Sequence, residues 1–332
     1  MNFLSVRQWI IHFLITVGFS LNASAEALTP YQKCLLAEVE RSDDISVRVI
    51  KLRCQEKNIE ASDKLSAYEK RVYYENTTGF KPFTILPHKP NYLLPITYNF
   101  SAPARYAGQE DYALDKTEIS FQLSLKFPLV NNVLGTDLDV MAAYTGRSFW
   151  QAYNDELSSP FRDTNHEPEI FVHQSVNKNI GPFFLRGIQY GLVHQSNGRS
   201  FPLSRSWNRA YTNFLFSYRD FGLSFKPWYR FEEDDPSTSL MVTGDDNPDI
   251  DDYLGKFELL GAYKYGKHSF STMIRNNMSG DNKGALQLNW SFPMGRRIKG
   301  YVYYFNGYGE TLLDYNHASH RLGFGFLLTD WL

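Results

Sequence analysis

The 332-residue chain carries 34 Lys and Arg against 36 Asp and Glu, for a net charge near −2 and a pI near 6.5. That balance argues against a nucleic-acid partner, which usually needs a basic domain. Aromatic residues make up 16%, with 22 Tyr and 25 Phe, yet mean hydropathy is −0.39. Beyond the N-terminus no stretch approaches the roughly 18 consecutive apolar residues of a membrane helix, so composition fits either a membrane β-barrel or a large soluble β-protein.

The first 25 residues read as an export signal. Arg7 precedes an apolar run, Trp9 to Phe19, broken by His12 and Thr16, and Ala23-Ser24-Ala25 forms an A-x-A cleavage site. A membrane anchor is the other reading of such a run, but it would need to be longer. Cleavage after Ala25 starts the mature chain at Glu26, outside the cytoplasm of a bacterium. Residues 26–88 are rich in Glu, Lys, Arg and Asp and read as a partly helical periplasmic segment, closed off by Pro82, Pro87 and Pro90. Its Cys34 and Cys54 are the chain's only cysteines. In an oxidising compartment they form a plausible disulfide; with no nearby histidine, zinc is disfavoured.

From 89 to 332 the pattern is all-β: strands with turns between them. In Glu118–Phe127, Ile119, Phe121, Leu123, Leu125 and Phe127 alternate with Glu118, Ser120, Gln122, Ser124 and Lys126. Strict alternation over such a length matches a tilted membrane strand of about 9–11 residues. Leu286, Leu288, Trp290 and Phe292 alternate in the same way. The candidate strands number about twelve, near 91–100, 116–127, 137–151, 168–177, 183–196, 207–219, 221–231, 253–264, 267–277, 284–293, 297–306 and 321–331. The even count predicts a twelve-stranded antiparallel transmembrane β-barrel with no exposed edge. Short connections at 128–136, 178–182, 220, 266 and 294–296 alternate with mostly longer ones, as periplasmic turns and outer loops should. The terminal Leu332 departs mildly from the Phe that usually ends such barrels.

One hairpin stands apart. In Phe183–Ser196 the even face carries Phe184, Arg186, Ile188, Tyr190 and Leu192 and ends in His194 and Ser196. Pairing this run with 208–218 brings Asn208 beside them. A serine, a histidine and a polar orienting group are the side-chain set of a nucleophilic hydrolase. Here the set opens on an apolar face, beside the loop from Gln195 to Trp207.

The segments His194-Gln195-Ser196-Asn197-Gly198-Arg199-Ser200 and Ser204-Arg205-Ser206-Trp207-Asn208-Arg209 resemble the signature of the outer-membrane phospholipase A family. So do Ser158-Ser159-Pro160-Phe161-Arg162, Lys226-Pro227-Trp228-Tyr229, Asp245-Asp246-Asn247-Pro248-Asp249-Ile250 and Gly307-Tyr308-Gly309-Glu310. The resemblance runs from about Asn91 to the C-terminus and implies a twelve-stranded barrel that hydrolyses acyl esters of glycerophospholipids, at the A1 and A2 positions and in lysophospholipids. It implies Ser196 as nucleophile, His194 as general base and acid, Asn208 as the group orienting His194, and the Gly198 N–H as oxyanion donor. It also implies Ca2+ and an active homodimer, with ligands from the Ser204 hydroxyl, the Arg199 carbonyl and the Ser158 carbonyl of the partner subunit, while Asp246 is a contributor to a second, weakened calcium site within the monomer. Two positions depart from the family pattern. Phe201 stands where an acid often serves a second calcium site, and Gly146 where a glutamine often bonds across the dimer.

The acidic loop with Glu232-Glu233-Asp234-Asp235 and Asp245 to Asp252 offers charge that could attract cations, but it reads first as a hydrated outer loop. No G-x-S-x-G, H-E-x-x-H, P-loop or dinucleotide fingerprint is present. A channel or porin is the alternative from another class, although porins typically use 16 or more strands. A barrel that has lost its activity is the third.

Overall fold

The computed structural model describes residues 30–41, 50, 54, 67–78, 84–101, 114–233, 244–295 and 298–331. The predicted export signal at residues 1–25 lies outside them. The chain divides into two units, 1–63 and 64–332. The first holds helix α1 (Pro30–Arg41) and the disulfide between Cys34 and Cys54, whose Cα atoms are 5.4 Å apart. No helix among the described residues is long and apolar enough to cross a membrane.

The second unit opens with helix α2 (Ala67–Thr78) and the short strand β1 (Leu86–Pro87). Twelve strands follow among the described residues: β2 (Asn91–Asn99), β3 (Thr117–Val130), β4 (Leu138–Trp150), β5 (Phe161–Ile180), β6 (Phe183–Ser196), β7 (Ser206–Tyr218), β8 (Phe221–Phe231), β9 (Phe257–Tyr265), β10 (His268–Asn276), β11 (Gly284–Pro293), β12 (Lys299–Gly307) and β13 (Ser319–Thr329). Each pairs antiparallel with its neighbours in sequence. β13 returns to β2 through Arg321↔Asn99 and Leu327↔Tyr92, so the sheet closes on itself and has no edge.

Parity separates the two faces. In β3 the even residues Glu118, Ser120, Ser124 and Lys126 are buried in the lumen, and Leu123 is half exposed on the outer wall. Ile170, Tyr190, Leu192, Tyr229, Leu286, Leu288, Trp290 and Phe324 share that exposed wall. An apolar wall suits lipid, where a Lys or Arg near the bilayer midplane would cost about 2–4 kcal/mol.

The lumen is filled. Arg162 donates to both carboxylate oxygens of Glu118, at 3.0 and 2.9 Å, and Arg321 reaches the same carboxylate at 2.7 Å. Arg321 also donates to Glu310 at 2.8 Å, and Tyr303 donates to Glu310 at 3.0 Å. At one end of the barrel the connections fold inward. Ile250 and Leu254 of the short helix α3 (Ile250–Leu254), with Leu312 and Tyr315, pack against inward Phe171, Val193, Trp207, Tyr211 and Trp228. At the other end α2 docks on the barrel. Lys126 donates to Glu75 at 2.7 Å, Arg186 donates to Glu69 at 2.6 Å, and Arg71 caps the carbonyls of Pro87, His88, Asp330 and Trp331.

Three local expectations change. β5 begins at Phe161, seven residues earlier than its apolar pattern suggests. Those residues are polar because Asp163 and Asn165 face inward and hold the main chain of Leu313 and Leu312, at 3.1 and 3.0 Å. Residues 253–256 are not strand, because Tyr253 and Leu254 close α3. Arg186, placed by parity on the outer face, is turned inward by a bulge between Leu185 and Gly187 and donates to Ser217 at 2.7 Å.

Candidate active site

β6 and β7 pair as the hairpin pattern requires, with Val193↔Arg209, His194↔Asn208, Gln195↔Trp207 and Ser196↔Ser206. Val193 and Trp207 are buried in the lumen, at 3% and 1% exposure, so the alternate residues His194, Ser196 and Asn208 belong to the outer wall. Behind them Gln195 accepts from the Trp207 indole at 2.8 Å and from Arg209 at 3.3 Å, which braces the two rungs from inside.

His194 Nδ1 lies 2.8 Å from Asn208 Oδ1. The Asn208 amide nitrogen donates to Glu233 Oε1 at 2.9 Å. An ionised carboxylate only accepts, so it holds the NH2 end of the amide and leaves the carbonyl end for histidine. His194 then carries its proton on Nδ1, and Nε2 keeps the lone pair a general base needs. Ser196 is two residues along the same strand face.

On the other side of Ser196 stands His166, its cross-strand partner on β5. Its Nδ1 is 2.6 Å from the Tyr144 hydroxyl. The Tyr144 ring lies over Gly146, whose missing Cβ would meet the hydroxyl at 3.2 Å, so the tyrosine occupies the space a larger residue would need.

The loop after β6 is tied down by Asn197, which is 4% exposed. Its carbonyl accepts from Arg199 N at 3.3 Å and Arg205 N at 3.0 Å, and its NH2 donates to Leu203 O at 2.8 Å. Gly198 follows in the left-handed region, φ +63°, a conformation that glycine adopts without steric cost. Arg199 Nη2 donates to the carbonyls of Phe161 and Arg162, each at 2.7 Å, and so anchors the loop to β5.

Of the predicted cation ligands, Ser204 and Asp246 are brought together: the Ser204 hydroxyl donates to Asp246 Oδ2 at 2.5 Å. Asp246 arrives because its neighbour Asn247 accepts from Ser206 N at 3.0 Å and Arg230 pairs with Asp245. The carbonyl oxygens of Arg199 and Ser158 accept no hydrogen bond among the described residues, and Ser158 and Ser159 both have positive φ, 56° and 52°. Hydroxyl, carboxylate and carbonyl oxygens are the donor types a hard cation takes, and of these four residues Ser204 and Asp246 are in contact. No group of three His, Cys, Asp or Glu side chains placed to hold a metal ion occurs among the described residues. The Phe201 side chain is 74% exposed and offers no oxygen ligand.

A family model described as phospholipase A1 matches residues 68–328. The phospholipase A1 of Escherichia coli K12 is 38% identical over 252 residues, covering 75% of this chain and 83% of that protein. The solved outer membrane phospholipase A from E. coli superposes with a TM-score of 0.68 at 37% identity, over 76% of this chain and 95% of that one. The Salmonella typhi outer membrane phospholipase, solved as a dimer with bound calcium, gives 0.67 at 36% identity over 75% and 94%. The chain belongs to the phospholipase A1 family. As a phospholipase A1 it is an ester hydrolase on an outer-membrane barrel. The family match spans α2 and nearly the whole barrel, while α1 and both cysteines precede it.

Sequence reasoning missed Glu233, which it placed in a hydrated loop, and passed over His166, Tyr144 and Asn197. Glu233 lies two residues past Phe231, the cross-strand partner of Asn208, so its place beside Asn208 emerges only once β7 and β8 are paired. His166 was hidden because the start of β5 lacks an apolar pattern.

Proposed function

We propose that this protein is a calcium-dependent outer-membrane phospholipase A that cleaves acyl esters of glycerophospholipids at a lipid-facing site and is active as a homodimer. The observation that carries this reading is the relay Glu233–Asn208–His194 on the same outer face as Ser196. A serine there meets substrate that arrives sideways through the bilayer.

In the proposed reaction His194 Nε2 takes the Ser196 hydroxyl proton as Oγ attacks the ester carbonyl. Asn208 holds the imidazole through Nδ1 while it becomes positively charged. The Gly198 N–H faces the oxygen that gains charge in the tetrahedral state. His194 then returns the proton to the departing glycerol oxygen, and water repeats the sequence on the acyl-serine. Calcium would be held by the Ser204 hydroxyl, the Arg199 carbonyl and the Ser158 carbonyl of a second copy, with Asp246 as contributor to a second site, and it would supply positive charge that favours the oxyanion. The chain enters from the periplasm after loss of residues 1–25, with 26–88 on the periplasmic side and the site toward the outer leaflet. The filled lumen speaks against a channel.

Purified protein should release fatty acid from phospholipid vesicles with calcium present and lose that activity in chelator. Ser196→Ala should be inactive in both conditions. Hydrolysis persisting in Ser196→Ala would sink the reading.

A further inference from the structure

Glu232 and Glu233 are adjacent acids at the end of β8, but they are not equivalent. Glu232 is exposed, whereas Glu233 is half-buried and accepts from Asn208 Nδ2 at 2.9 Å. Asn208 is in turn 2.8 Å from His194 Nδ1. We propose that Glu233 is a positioning residue for the reaction, acting through Asn208; this rests on the catalytic reading of Ser196 and His194.

An asparagine alone is an ambiguous orienting group. Its carbonyl and NH2 ends are nearly the same size, and rotating the amide by half a turn exchanges acceptor for donor. With the NH2 end toward His194, the imidazole would have to accept at Nδ1 and carry its proton on Nε2. It could then not take the serine proton. A carboxylate beyond the amide removes the ambiguity, because only the NH2 end can bond to it. Glu233 therefore sets the asparagine, the asparagine sets the histidine tautomer, and the tautomer leaves Nε2 basic.

The carboxylate also supplies what a neutral amide lacks. The imidazolium formed during the reaction gains little from an amide dipole, but a negative charge one residue further on favours it. Fixed geometry and charge compensation are thus divided between two residues, Asn208 and Glu233. Other titratable groups on this face are His166 on β5 and Tyr144 on β4, which bond to each other at 2.6 Å, and the exposed phenols Tyr190 on β6 and Tyr229 on β8; of these groups Glu233 is the one bonded to Asn208.

The test compares Glu233→Ala, Glu233→Gln and Glu232→Ala, each in the wild-type and Asn208→Ala backgrounds, with Ser196→Ala as reference. Fatty-acid release from phosphatidylcholine micelles is measured with calcium, after heat-modifiable gel mobility has verified that the barrel is folded. Glu233→Ala should lower kcat by about 10- to 100-fold with KM changed less than about threefold, since only a catalytic orientation is lost. Glu233→Gln keeps an acceptor oxygen but no charge. It should fall between, with the acidic limb of its kcat/KM profile moved to lower pH because the imidazolium has lost a favourable neighbour. Glu232→Ala should match wild type. In the Asn208→Ala background the Glu233 substitutions should have no further effect, the signature of two residues acting as one unit.

Wild-type kcat in Glu233→Ala would overturn the proposal. So would an equal loss with and without Asn208, or a loss confined to KM. Should Glu233→Ala fail to fold, the glutamine variant and its pH profile decide. An active Ser196→Ala, by contrast, would overturn the catalytic reading itself.

Discussion

At the site each residue carries a separate physical demand, and Gly198 shows how narrow one can be. A Cβ built there meets only His166 carbon and nitrogen atoms, at 3.8 and 3.9 Å, which is ordinary contact. Space is therefore not what selects glycine. The backbone is: φ is +63°, a region that costs an L residue roughly 1–2 kcal/mol. Gly198→Ala should accordingly fold, lose about 1 kcal/mol of stability in a denaturant titration, and lose activity out of proportion to that figure. Relief of that strain would rotate the Gly198 peptide and misdirect the N–H that the proposed reaction uses as oxyanion donor. Unchanged hydrolysis in this variant would remove Gly198 from the reaction. His194, Ser196 and Asn208 were legible in the sequence because strand parity alone brings them to one face. Glu233 was not, because an acidic run looks solvated until the pairing of β7 with β8 is known.

At the scale of elements, most strands could be read from alternation, since a closed barrel offers each residue only two environments. What could not be read is where chain departs from that choice. The first seven residues of β5 have no apolar face, because Asp163 and Asn165 bond to the loop around Leu312 instead of facing a plain lumen. Helix α2 is a similar case: nothing in its composition says that it docks on the barrel. The electrostatics say how. Burial works against the charge of Glu75, yet Lys126 and Arg71 hold its carboxyl down to about 2 from the usual 4.5. A carboxyl depressed in the folded state contributes stability above its unfolded value, here about 3 kcal/mol, and loses it as pH falls through the folded one. Docking of α2 should thus be insensitive to pH above about 5 and weaken progressively toward pH 2. Glu75→Gln should abolish that dependence and expose residues 67–78 to protease at neutral pH. Protection of the helix in Glu75→Gln equal to wild type at every pH would contradict this account.

For the molecule as a whole, the barrel places its polar work inside and its proposed chemistry outside. Glu118 shows how tightly the interior is bound together. It is 1% exposed and takes hydrogen bonds from Arg162, Arg321 and Gln151, while Arg321 continues the network to Glu310. Ions withdrawn from water are tolerable only when paired, and removing one partner of such a group typically costs about 3–5 kcal/mol. Glu118→Ala would leave two buried guanidinium groups facing each other across the gap. It should lower the unfolding free energy in detergent by about that amount, whereas exchanging an outer-wall residue such as Leu123 for another apolar side chain should change it little. The same filled interior bears on the channel alternative. With loops packed into one end, α2 at the other, and ion pairs filling the space between them, wild-type protein in a planar bilayer should show no large steady conductance. Glu118→Ala should show brief openings as water enters the loosened network. A large steady pore in the wild type would mean that the ion pairs line a path rather than block one, and would make transport, not hydrolysis, the function that the interior serves.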